Sequence, residues 1–235
     1  MTDSTTPRTA LITGASRGLG LALARQLARQ GWNLIIDARG AQALEAARAE
    51  LAALTNVVAI PGDVTDAAHR QALHEAARSA GGLDALINNA SFLGPSPQPY
   101  LLEYPLDVLE RVYRTNVIAP LALIQVLQRQ LKKGACVINI TSDAGVEPYE
   151  GWGGYGSSKA ALEQLSHILA AEKTSWRVYW VDPGDMRTQM HQEAFPGEDI
   201  SDRPLPDTVV PAFLHLVRER PGSGRVRLAD LAVLT

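Results

Sequence analysis

Seven short apolar or β-branched runs, near residues 8–13, 33–37, 56–60, 84–88, 135–141, 177–182 and 225–228, alternate along this chain with longer stretches of helical periodicity. Strands separated by helices are joined by crossovers, and crossovers make neighbouring strands parallel. A parallel sheet needs both faces covered. The pattern therefore predicts a doubly wound α/β fold, a seven-stranded and mostly parallel sheet with helices on both faces. Helices are expected at Leu19–Gln30, Ala41–Leu54, Ala67–Ala80, Leu106–Leu131, Gly154–Ala171 and Asp207–Arg218, where apolar residues recur at helical spacing. Gly31, the pair Gly81-Gly82 and Gly134 fall where helix C-caps are wanted. No linker-like change of composition divides the 235 residues, so the expected organisation is a flexible tail over 1–7 and one domain over 8–235.

The loop from the first strand to the first helix reads Thr13-Gly14-Ala15-Ser16-Arg17-Gly18-Leu19-Gly20. Its glycines permit a tight turn and let backbone N–H groups and the helix N-terminus approach a pyrophosphate. A position between the first strand and helix of a βαβ unit is the context that a dinucleotide-binding turn requires. The second strand ends in Ile36-Asp37-Ala38-Arg39, which in such a unit meets the adenosine ribose. Two signals compete there. Arg39, helped by Arg17, would pair with a 2′-phosphate and favour NADP(H), whereas Asp37 would accept from a free 2′-hydroxyl and leave NAD(H) open.

Tyr155 and Lys159 stand four residues apart, and on a helix over 153–171 they share a face. A cation beside a phenol eases its ionisation, so Tyr155 is expected to have its pKa drawn toward neutrality and to exchange a proton during catalysis. Ser142 closes the strand end Ile140-Thr141-Ser142, thirteen positions upstream of Tyr155. Two irregular segments, Gly94 to Tyr100 and Asp185 to Pro206, follow strand carboxyl ends, the edge where open α/β sheets bind ligands, and are expected to wall or cover a site. Phe92, Tyr149 and Trp152 flank that site and are candidates to line an apolar substrate pocket.

Composition removes other classes. The net charge is -3 with a pI near 6.0 and scattered basic residues, which offers no stripe to nucleic acid or anionic lipid. No apolar stretch reaches the ~18 residues of a membrane span, and the opening Met1 to Pro7 lacks a signal-peptide layout. The lone Cys136 lies in an apolar run, as a small buried hydrophobe in a reducing compartment would, so a cytoplasmic location is expected. His69, His74, His167, His191 and His215 show no metal-ligand spacing; no metal is expected and none of the five is assigned a role.

Taken together the motifs resemble the classical short-chain dehydrogenase/reductase family, from about residue 8 to 229. The family's glycine turn corresponds to Thr13 through Gly20, its adenine-contacting pair to Asp63-Val64, and its Asn-Asn-Ala-Gly strand end to Asn88-Asn89-Ala90-Ser91. Its helix asparagine is matched by Asn116, its serine by Ser142, its Tyr-x-x-x-Lys by Tyr155 and Lys159, and its Pro-Gly turn by Pro183-Gly184 with Met186 and Thr188 beyond. The resemblance implies a Rossmann-type domain and an NAD(P)-dependent enzyme acting on CH–OH or C=O groups of a small molecule. Tyr155 would give or take the proton, and Lys159 would lower its pKa and bond the nicotinamide ribose. Ser142 would steady the carbonyl oxygen, while Asn116 would hold the helix geometry or a water leading to Lys159. Gly14, Ser16, Arg17, Gly18, Leu19, Gly20, Ala38, Arg39, Asp63, Val64, Asn89, Ala90, Tyr155, Lys159, Pro183, Gly184, Met186 and Thr188 would contact the cofactor, Thr188 at the cofactor's carboxamide. Ala38 stands where NAD-preferring members carry an acid and Arg39 where NADP-preferring members carry a base, which supports NADP(H) while Asp37 keeps NAD(H) possible. A homodimer or homotetramer is implied, with faces of 106–131 and 160–171 as candidate contacts. The chain departs from the pattern at Ser91, which replaces the usual last glycine and adds a hydroxyl near the nicotinamide site. Two alternatives stay open at this point: an NAD-linked alcohol dehydrogenase, and a cofactor-binding sensor that kept the fold without catalysis.

Overall fold

The computed structural model describes residues 7–231; most of the expected tail, and the last four residues, lie outside the described residues. Seven parallel strands form one sheet in the order β3-β2-β1-β4-β5-β6-β7: β1 Thr9–Ile12, β2 Asn33–Ala38, β3 Val57–Pro61, β4 Leu83–Asn88, β5 Leu131–Ile140, β6 Arg177–Asp182 and β7 Gly224–Arg227. The strand order reverses between β1 and β4, and a crevice opens outside their carboxyl ends at such a point.

Side chains alternate across each strand, so the two sheet faces bury two separate cores. Leu11, Ile35, Leu86, Val137 and Val178 line one face in register and pack with Leu73, Leu123, Leu127 and Trp176. Ile12, Ile36, Ile87, Ile138 and Val181 line the other, against Leu23, Leu27, Phe213 and Leu216. Helices α1 Gly18–Arg29, α2 Ala41–Leu51, α3 Ala67–Ser79, α4 Leu106–Tyr113, α5 Ala119–Leu127, α6 Gly153–Glu172, α7 Gln189–Ala194 and α8 Val210–Glu219 complete the fold. None of the described helices is long and apolar enough to cross a membrane.

Three details differ from the sequence reading. The helix expected over 106–131 is two helices, α4 and α5, joined by a π-helical turn at Arg114–Ile118, and it ends at Leu127. Gly134, expected as a C-cap, lies inside β5 at positive φ (78°), next to a register shift in the pairing with β4. A bulge absorbs the extra residues there, so Leu131 already pairs with Leu83. Finally, the segment after β6 contains the short helix α7, started by Thr188, whose hydroxyl accepts from His191 N at 3.2 Å.

Candidate active site

The glycine turn is built to be crowded. A Cβ at Gly20 would stand 2.4 Å from the Gly14 carbonyl oxygen, and Gly14 itself has φ of 65° with Ala90 Cα 3.0 Å from where a Cβ would be. Only glycine fits either position. Thr13 and Asn89 lock the turn to β4: Thr13 Oγ1 accepts from Asn89 N and Ala90 N at 3.0 and 2.9 Å, and Asn89 Nδ2 donates to the Thr13 and Gly14 carbonyls at 2.9 and 3.1 Å. Asn89 and Ala90 thus hold the turn in place, with the Asn89 amide committed to protein. No side chain caps the start of α1, so its first-turn N–H groups are left without a side-chain partner, as an anion-binding helix start requires. Leu19 is buried beneath, Ser16 is half-buried, and Arg17 is exposed and hydrogen-bonded to Gln189 of α7. Together these residues fit a dinucleotide.

The competition at the end of β2 is decided by orientation. Asp37 is only 1% exposed; it accepts from Gly14 N at 2.8 Å and meets His69 Nε2 at 2.9 Å. It braces the glycine turn from beneath and presents no acceptor to a ribose. Burial pushes its pKa up, against the pull of His69 and the Gly14 N–H. His69, assigned no role from the sequence, is therefore the structural partner of Asp37. Ala38 is buried and Arg39 exposed at the strand end. Burial pulls the Asp63 carboxyl upward, but hydrogen bonds from Thr65 and the charges of Arg39 and His69 outweigh it and leave it below its ordinary value. Val64 is buried beside it.

The catalytic candidates meet across β5 and α6. Gly156 allows that approach, since a Cβ there would stand 2.5 Å from the Ala144 carbonyl. Tyr155 is 8% and Lys159 2% exposed, and Lys159 Nζ donates to the Ile140 carbonyl at 2.8 Å while lying 5.2 Å from the centre of the Tyr155 ring. The expected lowering of the Tyr155 pKa is not found. Burial pushes the phenol well above its ordinary value, aided by the charges of Asp143 and Asp182 and opposed by the neighbouring Ser91 hydroxyl. Lys159 lies over the ring and bonds the Ile140 carbonyl, and burial pushes its own pKa down to about 7, with Glu163 opposing.

Asn116 sits in the π-helical turn, 1% exposed, with every polar side-chain atom engaged. Its Oδ1 accepts from Ser91 Oγ and Phe92 N at 3.1 and 2.8 Å, and its Nδ2 donates to the Phe92 carbonyl and Ser158 Oγ at 2.9 and 3.0 Å. It ties the β4 end to α6, which is the geometric half of its expected role. Ser142 Oγ donates to Asp143 Oδ1 at 2.9 Å, and Tyr149 donates to Asp143 Oδ2 at 3.0 Å. Gly184 N donates to Asp182 Oδ1 at 3.0 Å, which turns the chain after Pro183. Met186 packs on the core, and the Thr188 hydroxyl is used to start α7.

The second irregular segment, with the first tied to it, packs over Tyr155. Leu93, Met190, Ala194 and Trp152 pack around it, Trp152 stands edge-on to its ring at 5.8 Å, and Phe195 lies 5.8 Å beyond Trp152. Ser96 Oγ donates to the Glu193 carbonyl at 2.6 Å and joins the two segments. Of the three aromatics expected beside the site, Trp152 packs with Tyr155, Tyr149 is exposed and bonded to Asp143, and Phe92 turns to the Arg111 guanidinium at 4.9 Å. Met190 and Phe195 were missed because the segment reads as irregular loop; its large apolar residues, Met186, Met190, Phe195, Ile200 and Leu205, were the available signal.

The sequence matches the short chain dehydrogenase family over residues 8–199. A rhamnolipid-biosynthesis 3-oxoacyl-[acyl-carrier-protein] reductase of Pseudomonas aeruginosa is 39% identical over 173 residues, 70% of this chain and 66% of that protein, just under two thirds of its length. Sepiapterin reductase of Mus musculus is 35% identical over 199 residues, 78% of this chain and 76% of that protein. Among solved structures, a short chain dehydrogenase of Shigella flexneri 2a complexed with NADP superposes with a TM-score of 0.87 at 28% identity, covering 94% of this chain and 95% of that one. A doubly wound sheet with Tyr155, Lys159, Ser142 and Asn116 at its carboxyl edge defines a dinucleotide-linked oxidoreductase. The chain belongs to the short-chain dehydrogenase/reductase family.

Proposed function

We propose that this protein is an NADP(H)-dependent reductase that moves hydride to a carbonyl carbon of a small, predominantly apolar molecule. The observation that carries the cofactor choice is the inward turn of Asp37, which takes its carboxylate away from the ribose and leaves Arg39 exposed at the strand end. When bound, the cofactor supplies the hydride. Tyr155 supplies the proton: a phenol held protonated by burial is matched to donation onto a carbonyl oxygen that gains charge as hydride arrives. Ser142 steadies that oxygen and Lys159 binds the ribose beside it. The related proteins named as reductases favour the same direction. Trp152, Met190 and Leu93 pack around Tyr155, with Phe195 beyond Trp152, and these apolar surroundings favour a hydrophobic or aromatic carbonyl compound as the substrate class. Several copies are proposed to assemble through α4, the π-helical turn and α6, which expose Leu106, Ile118 and Ile168, and a cytoplasmic location is proposed from the composition.

Fluorescence titration with NADPH and NADH tests the cofactor choice. NADPH should bind more tightly, and Arg39→Gln should weaken NADPH by roughly tenfold to hundredfold, the worth of a hydrogen-bonded charge, while leaving NADH unchanged. Equal affinities for both nucleotides would overturn this reading.

A further inference from the structure

One turn beyond Lys159 on α6 stands Glu163. Its Oε1 accepts from Thr141 Oγ1 at 2.8 Å, and both carboxylate oxygens accept from Arg225 Nε at 3.1 Å. Arg225, on β7, also donates Nη2 to the Ser142 carbonyl at 3.3 Å and to Asp182 Oδ2 at 3.4 Å. The two side chains are shielded, 13% and 24% exposed. One ion pair thus joins the helix that carries Lys159 to the strand end that carries Ser142.

We propose that Glu163 and Arg225 are positioning residues of the reaction, Glu163 supporting the charge on Lys159 and Arg225 holding the Ser142 strand end while tempering Glu163. Arg225 clamps the Ser142 backbone, and the Thr141 hydroxyl fixes the Glu163 carboxylate against the same strand end. The charged or titratable groups around this unit are Tyr155 and Glu163 on α6, Asp143 on the turn after β5, Asp182 on β6 and Arg225 on β7. Glu163 is the one that acts on Lys159 against burial. Burial alone would strip the ammonium of its proton at still lower pH, and Glu163 restores part of that loss. Arg225 shares the Glu163 carboxylate, so it moderates what Lys159 feels. The two members of the pair therefore act on Lys159 in opposite senses, which a merely structural bridge would not do.

The inference rests on the reading that Lys159 and Ser142 serve hydride transfer, yet its test needs no turnover. The chain has four lysines, Lys132, Lys133, Lys159 and Lys173, so NMR titration of cofactor-free protein carrying ¹³Cε-lysine resolves Lys159, assigned by the loss of its signal in Lys159→Arg. In Glu163→Gln the Lys159 midpoint should move to lower pH; in Arg225→Gln it should move to higher pH. Lys159 titrating as in the wild type in Glu163→Gln, or moving downward in both variants, overturns the proposal. Should Glu163→Gln fail to fold, as judged by its thermal melt, the direction of the Arg225→Gln shift decides. Failure here would leave the reductase reading standing, because that reading is tested by cofactor affinity and turnover.

Discussion

At the scale of single residues, the site combines a phenol made harder to ionise with an ammonium made easier to neutralise, and one cause, burial, does both. The pairing of Tyr155 with Lys159 was legible in the sequence because helical spacing fixes which residues share a face. Their protonation was not legible, since it depends on what covers them. Asp37 is the instructive case. In β2, Ile36 and Ala38 face one core while Ile35 faces the other, so alternation alone puts Asp37 on the face where α3 brings His69. The residue type was read without its parity. A buried lysine carries a stability cost whose sign follows from its lowered pKa. Between about 7 in the folded protein and the ordinary 10.5, the unfolded chain binds the extra proton. Lys159 therefore costs stability at low pH, and that cost fades as pH rises through this window. Lys159→Met should be more stable than the wild type by on the order of 3–5 kcal/mol below pH 7, with the difference vanishing near pH 10. Urea unfolding of both proteins across that range checks it; a difference independent of pH would contradict it.

At the scale of elements, all seven strands were visible as apolar runs, and six helices as periodic stretches, because burial on two faces writes its pattern into the sequence. The π-helical turn was invisible. It arises where Asn116 exchanges hydrogen bonds with Ser91, Phe92 and Ser158, residues distant in sequence, and no local signal announces it. Helix α7 was missed because six residues are too few to show a period, although Thr188 at its start is a favoured cap. Elements also carry the assembly proposal. Leu106 is 73%, Ile118 56% and Ile168 45% exposed on α4, the π-helical turn and α6, so light scattering should report two or four chains per particle. A particle of one chain at micromolar concentration would refute that assembly.

At the scale of the whole molecule, the site exists because one sheet edge collects what the chain order scatters. The strand order places β1 beside β4 and β4 beside β5, so the glycine turn, Ser91, Asn116, Ser142 and the Tyr155 helix converge at the point where the order reverses. Met190 and Ala194 of the second irregular segment pack with Leu93 around Tyr155, and Ser96 ties the first segment to the second. Cofactor end and reacting end are therefore separable. In the proposed mechanism Arg39 serves the first and Tyr155 the second, so removing one should leave the other intact. The most direct measurement is NADPH oxidation by the wild type and by Tyr155→Phe, at saturating NADPH, across a panel of ketones, aldehydes and pterins. With Tyr155 as proton donor, the variant should bind NADPH as the wild type does and turn over about 10²–10⁴-fold more slowly. Equal turnover by the two proteins would contradict the assignment of Tyr155 and the mechanism built on it.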